Sequence, residues 1–94
     1  MRNNYIVTYD ISEPKRLRNV YNLMCGYGNS LQYSVFSCEL SSKEKMKLIT
    51  ELYEIIKPSE DSILIIDIGS KKKHSKIETL GIKKTQKERK SIIL

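Results

Sequence analysis

Tyr5-Ile6-Val7-Thr8-Tyr9-Asp10-Ile11-Ser12-Glu13-Pro14 joins a strand to a helix, with a carboxylate at the joint. Val, Ile, Thr and Tyr fit a pleated, partly buried strand. Asp10 falls where that strand leaves its sheet. Ser12 or Glu13 can cap the helix that follows, and Pro14 suits a first turn, where its missing N–H is not needed. A carboxylate at a strand's carboxyl end, beside a helix N-terminus, is placed to hold a cation or meet a phosphate. The competing reading is a turn or cap residue, a common use of Asp.

Downstream, a helix is expected over 14–25, with Leu17, Val20, Tyr21 and Met24 at i, i+3, i+4 and i+7 as its apolar stripe. Gly26 reads as a left-handed C-cap and Gly28 as a flexible turn residue. Leu31 to Leu40 alternates like a strand, with Tyr33 and Val35 on one face and Phe36, Cys38 and Leu40 on the other. It is long for one strand, so a tight turn near residues 32–34 should divide it in two. Ser41-Ser42-Lys43-Glu44 fits a capping box. The helix it opens should carry Ile49, Leu52, Tyr53 and Ile56 inward and stop at Pro58. A last strand is expected over 62–68.

The order strand, helix, strand, strand, helix, strand predicts an α+β, ferredoxin-like βαββαβ sandwich with both helices on one face of an antiparallel sheet. Ile63-Leu64-Ile65-Ile66 is apolar on both alternating faces, and the first strand shows the same pattern. A sheet wetted on one side should alternate apolar with polar. A second copy of the chain is the simplest cover, so a homodimer is expected.

The chain has 94 residues and a formal net charge of +6. The charge is uneven. Residues 71–94 hold nine Lys or Arg against two acids, a net of +7, while residues 1–70 are near neutral. We therefore divide the chain into a ferredoxin-like domain (1–70), a basic linker and C-terminal strand (71–82) and a basic, mobile tail (83–94). The strand, over 77–82, would pair with the partner subunit's sheet and protect its edge. A basic tail fits a polyanionic partner, most simply nucleic acid, or else a solubilising role. Two cysteines and one histidine give neither a zinc site nor a disulfide framework. Residues 1–20 lack an apolar h-region, and the longest strictly apolar run, residues 63–66, is too short to cross a membrane. A cytoplasmic protein without a membrane partner is expected.

Residues 5–12, then Pro14-Lys15-Arg16-Leu17-Arg18, Gly26-Tyr27-Gly28, Gln32 to Leu40, and Asp61-Ser62 resemble, in order and spacing, the small CRISPR-associated endoribonuclease family. This is the second of the two core CRISPR adaptation proteins. The resemblance covers residues 5–68 and, more loosely, 77–82. It implies a homodimer that bridges dimers of the CRISPR-associated integrase and binds the duplex DNA to be inserted as a spacer. It also implies Mg2+-dependent endonuclease activity on single-stranded RNA or on DNA. By resemblance, Asp10 binds magnesium, one ion per dimer shared by both Asp10 carboxylates, and Tyr9, Arg16, Arg18 and Phe36 join it as catalytic residues. One departure is Ser30, where family members often carry Arg two residues before the Gln.

Lys15, Arg16, Arg18, Lys71, Lys72, Lys73, Lys76, Lys83 and Lys84 are the candidate nucleic-acid contacts. For Arg16 and Arg18 the alternative is a solvated helix face. Phe36 could stack on a base, as sheet aromatics do, or serve in the core, and Tyr9, Tyr27 and Tyr33 share that ambiguity. His74 lies among linker lysines. Two other functional classes fit the same residues: a stand-alone ferredoxin-like ribonuclease toxin, and a non-enzymatic nucleic-acid-binding dimer.

Overall fold

The structure, a computed structural model, describes residues 1–70 and 78–81. Its elements run β1 (Arg2–Asp10), α1 (Pro14–Cys25), β2 (Asn29–Gln32), β3 (Val35–Ser41), α2 (Ser42–Ile55) and β4 (Ser62–Ser70). The four strands form one sheet in the order β2-β3-β1-β4, with every neighbouring pair antiparallel. This is the expected ferredoxin-like βαββαβ arrangement. The turn at Tyr33-Ser34 divides the long apolar run as its length required. No helix among the described residues is long and apolar enough to cross a membrane.

Local chemistry explains the boundaries. Glu13, not Ser12, caps α1: its carboxylate accepts the Arg16 N–H at 2.8 Å, with Pro14 next in the first turn. At α2 the capping box is complete. The Ser41 N–H donates to Glu44 Oε1 at 2.9 Å, and the Glu44 N–H donates to Ser41 Oγ at 3.1 Å. Two glycine readings need correction. Gly26 is right-handed, with φ −83°, so α1 ends without a left-handed cap. Gly28 is required for close approach, because a Cβ there would overlap the Ser37 carbonyl and Cys38 Sγ. Ser30 is buried, and its hydroxyl donates to the Gln32 carbonyl at 3.0 Å, bracing the β2 irregularity beside β3.

The core lies between the helices and one sheet face. Tyr5, Val7 and Tyr9 of β1 and Phe36, Cys38 and Leu40 of β3 meet Val20 and Met24 of α1 and Leu48 and Leu52 of α2. Burial pushes the Cys38 thiol up to about 11, as befits a small apolar core residue. The expected stripes are met in part: Val20, Tyr21 and Met24 of α1 and Leu52 and Ile56 of α2 lie in or against the core. In α2 the inward line is Leu48, Leu52 and Ile55, leaving Tyr53 exposed. In α1 Leu17 has left the core and is 41% exposed. Leu17 instead lines an open cleft beside Tyr9 and Asp10.

The other sheet face is uncovered in the single chain. Ile6, Thr8, Leu64 and Ile66 share it, through the pairs Ile6↔Ile66 and Thr8↔Leu64. Leu64 is 59% and Ile66 46% exposed, while Ile63 and Ile65 pack against the core. β3 adds Val35, paired with Thr8, and then presents the polar Ser37 and Glu39 there. Of the expected C-terminal strand, residues 78–81 are exposed and belong to no element of the single chain. Residues 71–77 and 82–94, which include Lys71, Lys72, Lys73, His74, Lys76, Lys83 and Lys84, lie outside the described residues.

Candidate functional site at the end of the first strand

β1 carries its alternation out to Asp10, its last residue. Tyr5, Val7 and Tyr9 face the helices, so Asp10 has the same parity as Ile6 and Thr8 and belongs to the uncovered face. Its carboxylate is exposed and accepts no hydrogen bond among the described residues. The cap at this joint is Glu13. Asp10 is therefore not the cap, and nothing in the described fold occupies it.

Its neighbours divide into three groups. Arg18 and Lys15 are exposed on α1 and form no salt bridge among the described residues, so both remain free for a phosphate. Arg18 lines a cleft of about 470 Å³ with Asp10, Leu17, Tyr21 and Tyr33.

Arg16, expected as a catalytic and nucleic-acid contact, is engaged within the fold. Its Nε donates to Asp61 Oδ2 at 2.8 Å, and its Nη2 donates to Glu60 Oε1 at 3.1 Å and Asp61 Oδ1 at 3.2 Å. The Asp61 carboxylate, 0% exposed, also accepts the Ser12 N–H at 3.0 Å, the Ser12 hydroxyl at 3.2 Å and the Lys57 N–H at 2.8 Å. The Arg16 guanidinium, with these N–H groups, holds the Asp61 carboxyl far below the usual carboxylate range. A phosphate would have to displace a charged partner already saturated with donors. Arg16 thus positions the loop that follows Asp10 by tying it to the connection before β4. Asp61 is the residue that reading the chain missed. The only signal was its place directly before the last strand.

Phe36 and Tyr9, also expected as catalytic residues, both lie in the core. Phe36 is fully buried, stacked near-parallel on Tyr9 at 6.3 Å and edge-on to Tyr21 at 5.6 Å. It cannot reach a base, and it supports Tyr9 and Tyr21, two of the three tyrosines that line the cleft. Tyr9 is buried too. Its hydroxyl donates to the Tyr33 carbonyl at 2.8 Å, and its N–H donates to the Ser34 carbonyl at 3.1 Å. It therefore fixes the β2–β3 turn beside Asp10. Tyr27 is bound to α2, donating to Glu51 Oε1 at 2.6 Å, and burial together with that carboxylate pushes it up to about 12. Of the aromatic candidates only Tyr33, 49% exposed, presents a ring to solvent.

A magnesium ion takes hard oxygen ligands, usually one or two carboxylates with waters and substrate oxygens. Asp10 fits as one such ligand. Among the described residues no group of three His, Cys, Asp or Glu side chains is placed to hold a metal ion.

The family model described as CRISPR associated protein Cas2 matches residues 3–76. The CRISPR-associated endoribonuclease Cas2 1 of Rhodospirillum rubrum is 35% identical over 91 residues, covering 96% of this chain and 89% of its own. The CRISPR-associated endoribonuclease Cas2 of Geobacter sulfurreducens is 41% identical over 69 residues, 73% of each chain. The crystal structure of Streptococcus pyogenes Cas2 at pH 6.5 superposes with a TM-score of 0.73 at 34% identity, covering 83% of this chain and 99% of that one.

Proposed function

The chain belongs to the Cas2 family of CRISPR-associated proteins, and from that premise we propose that it works as a homodimer whose two Asp10 residues form a shared Mg2+ site for phosphodiester hydrolysis. The observation that carries this reading is the position of Asp10. It is an exposed carboxylate, unused by the fold, on the same sheet face as the uncovered Ile6, Leu64 and Ile66. Covering that face with a second copy brings the two carboxylates toward one axis and completes the pair that a single chain lacks. The named activity of the relatives from Rhodospirillum rubrum and Geobacter sulfurreducens, endoribonuclease, agrees with it.

In this arrangement both Asp10 carboxylates would hold the ion, and one of them would orient the attacking water and take up its proton. Bound there, Mg2+ would polarise the phosphodiester and lower the pKa of that water. Arg18 and Lys15 steady the nonbridging phosphate oxygens as charge builds on them. The Arg16–Asp61 cluster keeps the loop from shifting. The second part of the proposal is a scaffold role, in which the dimer binds duplex DNA and bridges copies of the CRISPR-associated integrase. Its support is the family membership and the +7 charge carried by residues 71–94.

The test is Mg2+-dependent cleavage of single-stranded RNA and of duplex DNA by wild type and Asp10→Ala. Cleavage should vanish in the variant while its melting temperature does not fall, because Asp10 supports no part of the fold. Cleavage that persists in Asp10→Ala contradicts the shared site. Co-purification with the integrase on a duplex with frayed ends tests the scaffold role.

A further inference from the structure

We propose that the cleft beside Asp10 is a nucleobase subsite, which takes one unpaired base of a single-stranded RNA or DNA while Arg18 holds the adjoining phosphate. It rests on the reading of Asp10 as the phosphodiester end of the site and supplies what that reading lacks, a means of choosing the strand.

The cleft is built by one helix face and one turn. Pro14, Leu17, Arg18 and Tyr21 recur at i, i+3, i+4 and i+7, so α1 presents a wall that is apolar except for a single cation. Tyr33, in the β2–β3 turn, also lines it. Leu17 is 41% and Tyr33 49% exposed. Large apolar side chains exposed singly need no explanation, but these two border the same concavity. Its volume of about 470 Å³ lies within the range of small-molecule sites.

Charge complementarity selects the occupant. A nucleotide is a flat apolar base attached to an anion, and the cleft places apolar walls beside Arg18, which forms no salt bridge among the described residues. Asp10 lines the same cleft, so a base held there leaves its phosphodiester near the carboxylate. A base inside a duplex is stacked and cannot enter, whereas an unpaired one can be splayed onto an aromatic ring. The walls are preset. Two hydrogen bonds from Tyr9 fix the Tyr33-Ser34 turn, and Phe36 supports Tyr9 and Tyr21 from below.

The experiment is fluorescence anisotropy without divalent metal, on labelled single strands of RNA and DNA carrying one abasic nucleotide moved along the sequence. An abasic nucleotide at one position should weaken binding ~5- to ~100-fold, the size of one lost base–aromatic stack. Tyr33→Ala should weaken the intact strand by a similar factor and erase the difference between intact and abasic strands. Tyr33→Phe should retain both affinity and discrimination. The Tyr9 hydroxyl bonds the main-chain carbonyl of Tyr33, so these substitutions leave that bond in place, and melting curves verify the fold. Equal affinity for every strand of the series, or full discrimination by Tyr33→Ala, overturns the subsite. Binding is read apart from cleavage. Discrimination without Mg2+-dependent hydrolysis would sink the nuclease reading alone, and hydrolysis without discrimination would sink the subsite alone.

Discussion

Asp10 ends β1 and Asp61 directly precedes its neighbour β4, and the two carboxylates do opposite things. Asp61 is spent on structure: five donors and the Arg16 charge hold it ionised. Its pKa is lowered from 3.8, and those of Glu13, Glu44 and Glu60 are lowered from 4.5. Each carboxylate therefore binds its proton more weakly folded than unfolded. The stability they contribute is complete above about pH 5 and is lost as pH falls through the folded values. Melting temperatures measured from pH 7 down to pH 2 should stay level and then drop below the ordinary carboxylate range. Asp61→Asn should melt several degrees lower at neutral pH and show a shallower acid drop, and parallel curves would contradict this assignment. Asp10 predicts the reverse. With two carboxylates facing each other, Asp10→Asn relieves their repulsion and raises the melting temperature of the metal-free protein. A lower melting temperature would mean that Asp10 supports the fold after all.

The elements were legible where one residue's chemistry decides a boundary. Pro14 after Glu13, Ser41 with Glu44, and Pro58 each mark a helix end that depends on neighbours close in sequence. Helix phase was legible at the centre of each stripe, in Val20, Met24 and Leu52, and failed at single positions: Leu17 and Tyr53 are apolar yet exposed, which only the placement of the elements reveals. The site was half legible for the same reason. Asp10, Lys15 and Arg18 could be read from the strand and the helix, but Arg16 meets Asp61 across 45 positions of chain, which no local pattern records. Phe36 shows how packing decides a role: a strand aromatic fits base stacking or the core equally well until the helices are placed. Its truncation to Ala should cost about 3–5 kcal/mol in chemical denaturation, as for a fully buried ring. A cost under about 1 kcal/mol would place Phe36 outside the close-packed interior.

For the whole molecule, the helices cover one side of the sheet and leave Leu64 and Ile66 open beside Ile6 on the other. The proposed shared ion, the expected strand-pairing C-terminus and the proposed bridge across DNA all depend on what covers that side. The basic tail adds a contribution of its own. If about five of its cations meet phosphates, log affinity for duplex DNA should fall with log salt at a slope near −4 to −5. Truncation after Ile82 should flatten that slope, and an unchanged slope would remove the tail from the DNA contact. The most direct test of the account is sedimentation equilibrium of the purified, metal-free chain at micromolar concentration. It predicts a particle of twice the 10.9 kDa chain mass, reduced to a single chain by Leu64→Arg on the open face. A wild-type chain that sediments as a stable monomer would contradict it.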